Sequence, residues 1–321
     1  MDNKVEKLVG AVAPGDLDDQ DALEVVPAES LWLANFQTEN TRAAYRRAVG
    51  DFIETMGITS PAALYSVTQA HVIAFRDELR DRGLSNASIA NRLSALSSLY
   101  KFLADKQLCK INPVSGVRRP TTGSGGLGSG KTPALTAKQV RAMLEAPDPE
   151  TLQGLRDRAI LHVYFFTGGR CSEPSTLRVK DFRLDRDYWV LEFTTKGEKI
   201  NTVAIHTECQ IALRKYLDAS GHEDGPQAPL FLAVKAGKNT GGPLTRGSFY
   251  KLFKKYAGLA GLPGNITPHS ARATFITQAY DAGLQGEDIQ RTVGHSSITT
   301  TEGYNRTARR HRKSASFGVS Y

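Results

Sequence analysis

The stretch "RRPTTGSGGLGSGKTPALTAKQV", Arg118 to Val140, decides how the chain is divided. Inside it, Gly125 to Thr132 reads GGLGSGKT and matches G-x-x-x-x-G-K-[ST], a loop whose amides cradle phosphates while its Lys reaches the outer ones. That loop works only between a buried strand and a helix. Here Arg118-Arg119-Pro120-Thr121-Thr122 precedes it, which is no buried strand. Pro133 follows Thr132 directly, and the next helix signal is a cap at Thr136. Five of the eight residues from Gly123 to Gly130 are glycine and two are serine, so the glycines of the pattern belong to linker composition. No apolar strand ending in Asp follows to hold Mg²⁺. Residues 119–133 are read as a tether between two domains, and no ATP or other cofactor is expected.

Upstream, the apolar residues of "NTRAAYRRAVGDFIETMG" (Tyr45, Val49, Phe52, Ile53, Met56) fall at helical spacing. "VTQAHVIAFRDELRDRG" is a second helix, ended by Gly83. "LSNASIANRLSALSSLYKFLADKQ" is a third, with Ser85 as N-cap and Ile89, Leu93, Leu96, Tyr100 and Leu103 on one face. Residues 30–118 are expected to form a small helical bundle. Downstream, residues 134–321 are expected to form a second domain. "TLQGLRDRAILHVYFFTGG" reads as a buried helix with a Gly-Gly cap, and "YWVLEFTTKGEKINTVAIH" as a β-hairpin around Lys196 to Lys199. "RGSFYKLFKKYAGLAG", "TPHSARATFITQAYDAG" and "QGEDIQRTVG" are further helices. The fold class is mainly α with one small antiparallel sheet.

The chain of 321 residues has a net charge of +8. Residues 1–29 carry eight acids and two lysines and read as a mobile acidic tail, which leaves +14 on the remainder. A body this basic favours a polyanionic partner, nucleic acid first. No apolar run approaches the roughly 18 residues of a membrane span, and no secretory signal is seen at the N-terminus. Cys109, Cys171 and Cys209 are far apart and show no metal-ligand spacing, so no metal and a reducing cytoplasm are expected.

Taken singly, the polar candidates are ordinary. Arg170 follows Thr167-Gly168-Gly169 and has Glu173 as a ready surface partner. Lys196 stands at a hairpin tip. His269 and Arg272 share a helix face just after Thr267 (the N-cap) and Pro268. His295 follows Gly294 at a helix end, and Tyr304 lies nine residues on, beyond the weakly helix-forming Thr299, Thr300 and Thr301.

Together, in this order and at these intervals, Arg170, Lys196, His269, Arg272, His295 and Tyr304 resemble the active-site set of the tyrosine recombinases, the phage-integrase-like family. "NTRAAY", "SNASIANRLSALSSLYKFL" and "NPVSGV" resemble the family's core-binding domain. Gly169 and Ala271 stand where the family commonly has an aliphatic residue and Leu. The resemblance implies a helical core-binding domain and a mixed α+β catalytic domain that clamp duplex DNA. It implies site-specific cutting and rejoining through a 3′-phosphotyrosine. In that scheme Tyr304 is the nucleophile and His269 the base. Arg170, Arg272 and His295 hold the phosphate, and Lys196 is the acid for the leaving 5′-oxygen. Arg42, Arg46, Arg47, Arg92, Arg118, Arg119, Lys251, Lys254 and Lys255 are candidate DNA contacts. Implied partners are double-stranded DNA sites, three further copies in a tetramer and possible accessory proteins, with no membrane, in the nucleoid-associated cytoplasm. A type IB topoisomerase and a DNA-binding protein without catalysis are the alternatives. In the family, tails like that after Tyr304, which here ends in Phe317, Val319 and Tyr321, dock on a neighbouring protomer.

Overall fold

The computed structural model describes residues 28–121, 132–195, 198–235 and 238–305, with residues 238 and 239 described by their backbone alone. Most of the acidic stretch, Lys131 with the Gly/Ser run, Lys196 and the residues after Asn305 lie outside the described residues. The chain divides into two compact units, Met1–Ser124 and Gly125–Tyr321.

The N-terminal unit is helical: α1 Ala28–Ala34, α2 Glu39–Thr55, α3 Pro61–Tyr65, α4 Gln69–Asp81 and α5 Asn86–Asp105. Thr38, Ser60 and Ser85 cap α2, α3 and α5 by accepting the amides of Thr41, Ala63 and Ser88. The expected stripe of α5 is wholly buried, and so are Val49 and Phe52 of α2 and Phe75 of α4. Phe52 meets Phe75 edge to face at 5.1 Å. Tyr45 and Met56, placed on the core stripe of α2 from spacing, are only half-buried. The acidic tail was expected to run to residue 29, but α1 already starts at Ala28 and Glu29 is buried. Trp32 is the physical reason. It is buried, stacks on Tyr45 at 5.7 Å and donates Nε1–H to Ser98 Oγ at 3.2 Å, which carries the first turn of α1 onto the bundle. Beyond α5 the chain folds back: Asn112 Nδ2 donates to the Ser97 carbonyl at 3.0 Å, and Asn86 Nδ2 to that of Thr121 at 3.0 Å.

The C-terminal unit contains α6 Ala137–Glu145, α7 Leu152–Thr167, α8 Thr207–Ser220, α9 Arg246–Leu259, α10 Pro268–Asp281, α11 Gly286–Val293 and α12 Ile298–Glu302. Thr136 caps α6 in a capping box with Gln139, and Thr132 to Leu135 are not helical. No helix therefore starts at Thr132, as a phosphate-binding loop would need. Helix α7 is the centre of the unit. Ile160, Leu161, Val163 and Tyr164 are fully buried, and it packs on α6, α8 and α10. Its two charged interior residues satisfy each other: Arg156 Nη2 contacts Asp157 Oδ1 at 2.7 Å, and Arg156 Nη1 donates to the Leu232 carbonyl at 3.0 Å. Tyr256 donates to Asp157 Oδ2 at 2.9 Å, which ties α9 into the same knot.

The hairpin is present as β2 Tyr188–Thr194 and β3 Ile200–Ala204, but β1 Phe182–Asp185 extends it to a three-stranded antiparallel sheet. A second ribbon pairs β4 Leu232–Lys235 with β5 Lys238–Pro243. One sheet was expected. The charged Asp185-Arg186-Asp187 turn, with Arg186 at φ 54°, and the Gly-rich β5 both carry loop composition, which hid these strands.

Gly168 ends α7 at φ 63°. A Cβ there would lie 2.8 Å from Phe275 Cδ1 of α10 and 3.1 Å from Val293 Cγ1 of α11. The close approach of three helices therefore depends on this glycine. Gly168→Ala is expected to lower stability by at least about 2 kcal/mol, from left-handed strain plus overpacking. Gly283→Ala, at φ 87° with nothing within 4 Å, is expected to cost only the strain, about 1 kcal/mol. Scanning calorimetry of the full chain checks the difference, and equal melting shifts would contradict it.

Candidate active site

The end of α7, the start of α10 and the α11–α12 junction meet at one place. Arg272, on the second turn of α10, is only 1% exposed. Its Nη1 donates to the Gly168 carbonyl and its Nη2 to the Val293 carbonyl, both at 2.7 Å. These oxygens belong to the C-terminal ends of α7 and α11, where helix carbonyls lack partners and carry partial negative charge. Burial, then the neighbouring Arg170, push the Arg272 pKa down to about 10, so it stays charged at neutral pH.

Arg170 follows the left-handed cap. Its amide donates to Glu173 Oε2 at 2.6 Å, its Nη1 to Oε1 at 2.7 Å and its Nη2 to the Gly294 carbonyl at 2.9 Å. The Arg170 side chain remains 43% exposed, whereas that of Glu173 is 9% exposed. Glu173 is thus not the surface partner that the sequence suggested. It is a buried clamp that fixes both backbone and guanidinium. Two guanidiniums against one carboxylate leave the cluster with one excess positive charge.

His269 enters from the first turn of α10, and its Nε2 lies 2.8 Å from the Tyr304 hydroxyl. Burial, then Arg272 and Arg170, hold its pKa below the usual range. His295 comes directly after Gly294, which ends α11 at φ 63°. Its Nδ1 lies 2.8 Å from Thr301 Oγ1. Burial first, then Arg272, Arg170 and His269, push its pKa down to about 4. Tyr304 follows α12 through Gly303. Its ring lies 6.1 Å from that of His295 at 14° and 6.0 Å from that of His269 at 73°. The ring also packs on Ile276, Ala279, Ile289 and Val293, a small cluster between α10 and α11.

Five of the six candidate residues therefore converge: Arg170, His269, Arg272, His295 and Tyr304. Lys196 falls outside the described residues. Its hairpin is anchored at the cluster, because Asn201 of β3 donates Nδ2–H to the Thr292 carbonyl at 3.0 Å. Sequence reasoning missed Thr301, Asn201 and the two carbonyls that seat Arg272. Thr301 is buried while Thr299 and Thr300 are exposed, and nothing in three consecutive threonines marks which one turns inward.

The candidate DNA contacts divide. Arg42 bonds Glu39 at 2.9 Å and the Phe36 carbonyl at 2.8 Å, with Arg46 3.8 Å from the same Glu39. Arg92 is held by Asp51 at 2.6 Å, and Arg119 by Ser94 at 3.1 Å. Lys254 binds the carbonyls of Gly264 and Ile266, a structural task. Lys255 lies over the Tyr256 ring at 4.8 Å. Arg47, Arg118 and Lys251 are exposed. Among the described residues no helix is long and apolar enough to cross a membrane, and no group of His, Cys, Asp or Glu forms a metal site.

Residues 133–311 match the phage integrase family, and residues 28–107 match the N-terminal SAM-like domain of phage integrases. The chain is 31% identical over 270 residues to the tyrosine recombinase XerC of Roseiflexus castenholzii, covering 83% of this chain and 82% of that protein. It is 31% identical over 291 residues to XerD of Corynebacterium glutamicum, covering 85% and 91%. In fold it resembles a lambda integrase tetramer bound to a Holliday junction, with TM-score 0.69 and 17% identity over 89% of this chain and 77% of that one. It also resembles the XerH site-specific recombinase bound to its difH substrate, with TM-score 0.65 and 19% identity over 98% and 92%. With both family matches in chain order and the charged cluster inside the longer one, the chain belongs to the phage integrase family of tyrosine recombinases.

Proposed function

We propose that this recombinase cuts and rejoins duplex DNA at specific sites through a 3′-phosphotyrosine formed on Tyr304. The observation that carries this reading is the Tyr304 hydroxyl on His269 Nε2 at 2.8 Å, inside a cluster charged by Arg170 and Arg272. A phenol ionises only near pH 10, so its proton must leave as the new bond forms. His269, held neutral by burial and two cations, takes it. The phenolic oxygen bonds to phosphorus, the P–O5′ bond breaks, and Lys196 gives a proton to the leaving 5′-oxygen. Attack by a 5′-hydroxyl reverses the step and returns the proton to Tyr304. The bond energy stays in the phosphotyrosine, so the scheme needs no ATP.

The transition state gathers negative charge on its non-bridging oxygens. Arg170 and Arg272 meet it with planar forks, and His295 adds a donor. Arg272 uses two N–H groups on carbonyls and keeps the others for phosphate. Similarity to proteins named XerC and XerD favours recombination over relaxation of a single duplex. The working assembly is proposed to be four copies on two DNA sites.

Tyr304→Phe is expected to abolish SDS-resistant protein–DNA adducts on a nicked site while leaving the gel-shift Kd within about twofold. Cleavage by the Phe variant would overturn the nucleophile assignment. The pH profile of kcat/KM tests His269. Its lowered pKa keeps the base form available below pH 6.5, so the acid limb is expected below that value and is lost in His269→Gln. A limb at or above pH 6.5 would contradict the assignment. Salt titrations separate the basic residues. Lys251→Ala and Arg47→Ala are each expected to reduce the log Kd–log salt slope by about 0.9. Lys254→Ala is expected to leave the slope unchanged and lower the melting temperature.

A further inference from the structure

His295 is neutral in a half-buried site, and a neutral imidazole has one N–H to offer. Which nitrogen carries it decides whether the ring meets a phosphoryl oxygen with a proton or with a repelling lone pair. The structure bears on that choice through Thr301.

Thr301 is fully buried in α12, and its hydroxyl lies 2.8 Å from His295 Nδ1. Three threonines in the helices of this unit point their hydroxyl proton at the carbonyl four residues back, while Thr277 uses its hydroxyl on the Tyr304 carbonyl at 3.5 Å. Thr167 bonds Val163 at 2.7 Å, Thr274 bonds Ser270 at 2.7 Å, and Thr292 bonds Asp288 at 2.8 Å. Thr301 makes no such bond among the described residues, and His295 Nδ1 is its side-chain partner there. If Nδ1 carried the proton, the Thr301 hydroxyl would accept it, and its own buried proton would have no acceptor. Such an orphaned group costs about 1–3 kcal/mol. If the hydroxyl donates to Nδ1, both groups are satisfied.

We propose that Thr301 is a positioning residue whose hydroxyl donates to His295 Nδ1 and locks the ring as its Nε2–H tautomer, so that His295 offers a donor to the phosphoryl oxygens. The inference rests on the strand-transfer reading for its purpose, but the tautomer itself does not. Depression of the His295 pKa to about 4 agrees with it, since a neutral ring is the one that needs a lock. Thr301 stands three residues before Tyr304, so the short helix that leads into the nucleophile also sets the donor.

The test is long-range ¹H–¹⁵N correlation on the full chain labelled at histidine, without DNA, with His295 assigned by its loss in His295→Gln. The wild-type protein and Thr301→Ser are expected to show a protonated Nε2 and an unprotonated Nδ1. Thr301→Val, similar in shape and without the hydroxyl, is expected to show a tautomer mixture. It is also expected to cleave a nicked site about 10-fold or more slowly at unchanged DNA affinity, with Thr301→Ser within about threefold of wild type. A protonated Nδ1 in the wild-type spectrum would overturn the proposal, whether or not Thr301→Val folds. So would a folded Thr301→Val with an unchanged spectrum. Absence of any cleavage by the wild type would instead count against the strand-transfer reading, and the spectrum would still decide the tautomer.

Discussion

The buried guanidinium of Arg272 is the constraint on which this site depends. A cation taken out of water needs compensation worth several kcal/mol, and a carboxylate is the usual source. Here the compensation comes from two carbonyls, of Gly168 and Val293, at the ends of two helices. Each helix end carries roughly half a negative charge, so the pair supplies about one. The difference matters for chemistry. A counter-ion would cancel the field of the guanidinium, whereas dipoles hold it in place and leave its charge available to an anion. The single carboxylate of the cluster, Glu173, is turned to Arg170 instead.

The geometry of the seat passes back to the backbone. Both helices end in left-handed glycines, Gly168 and Gly294, each at φ 63°. Gly168 lets α7 stop against α10 and α11 without a side chain in the way. Gly294 turns the chain so that its own carbonyl meets Arg170 while His295 faces Tyr304. Arg170 and His295 are therefore placed by two turns around one buried cation. The net positive charge then explains the state of the histidines. Both are desolvated and face two guanidiniums, so both are held toward the neutral form.

Much of this was legible in the sequence, for physical reasons that differ by element. The helices of the N-terminal unit announce themselves by spacing and by caps such as Ser85, and Ile89 to Leu103 are buried as that spacing requires. The five converging residues were legible as a set in order, though none of them singly. What the sequence hid depends on long-range partners. Glu29 is buried because Trp32 docks on Ser98, far along the chain. Strand β1 ends in a charged turn that looks like loop. Thr301 sits beside two threonines of identical composition and opposite exposure. Basic residues are equally opaque: nothing in "KLFKKY" tells that Lys254 ties down two carbonyls while Lys251 is left to solvent.

The proposed chemistry turns on a covalent bond between Tyr304 and DNA. The most direct measurement is mass spectrometry of the peptide that stays attached to a nicked DNA site after SDS and protease treatment. A peptide containing Tyr304 with a nucleotide joined through its 3′-phosphate is expected, with a free 5′-hydroxyl on the other strand end. An adduct on a different residue, or a 5′-phosphate joined to the protein, would contradict it.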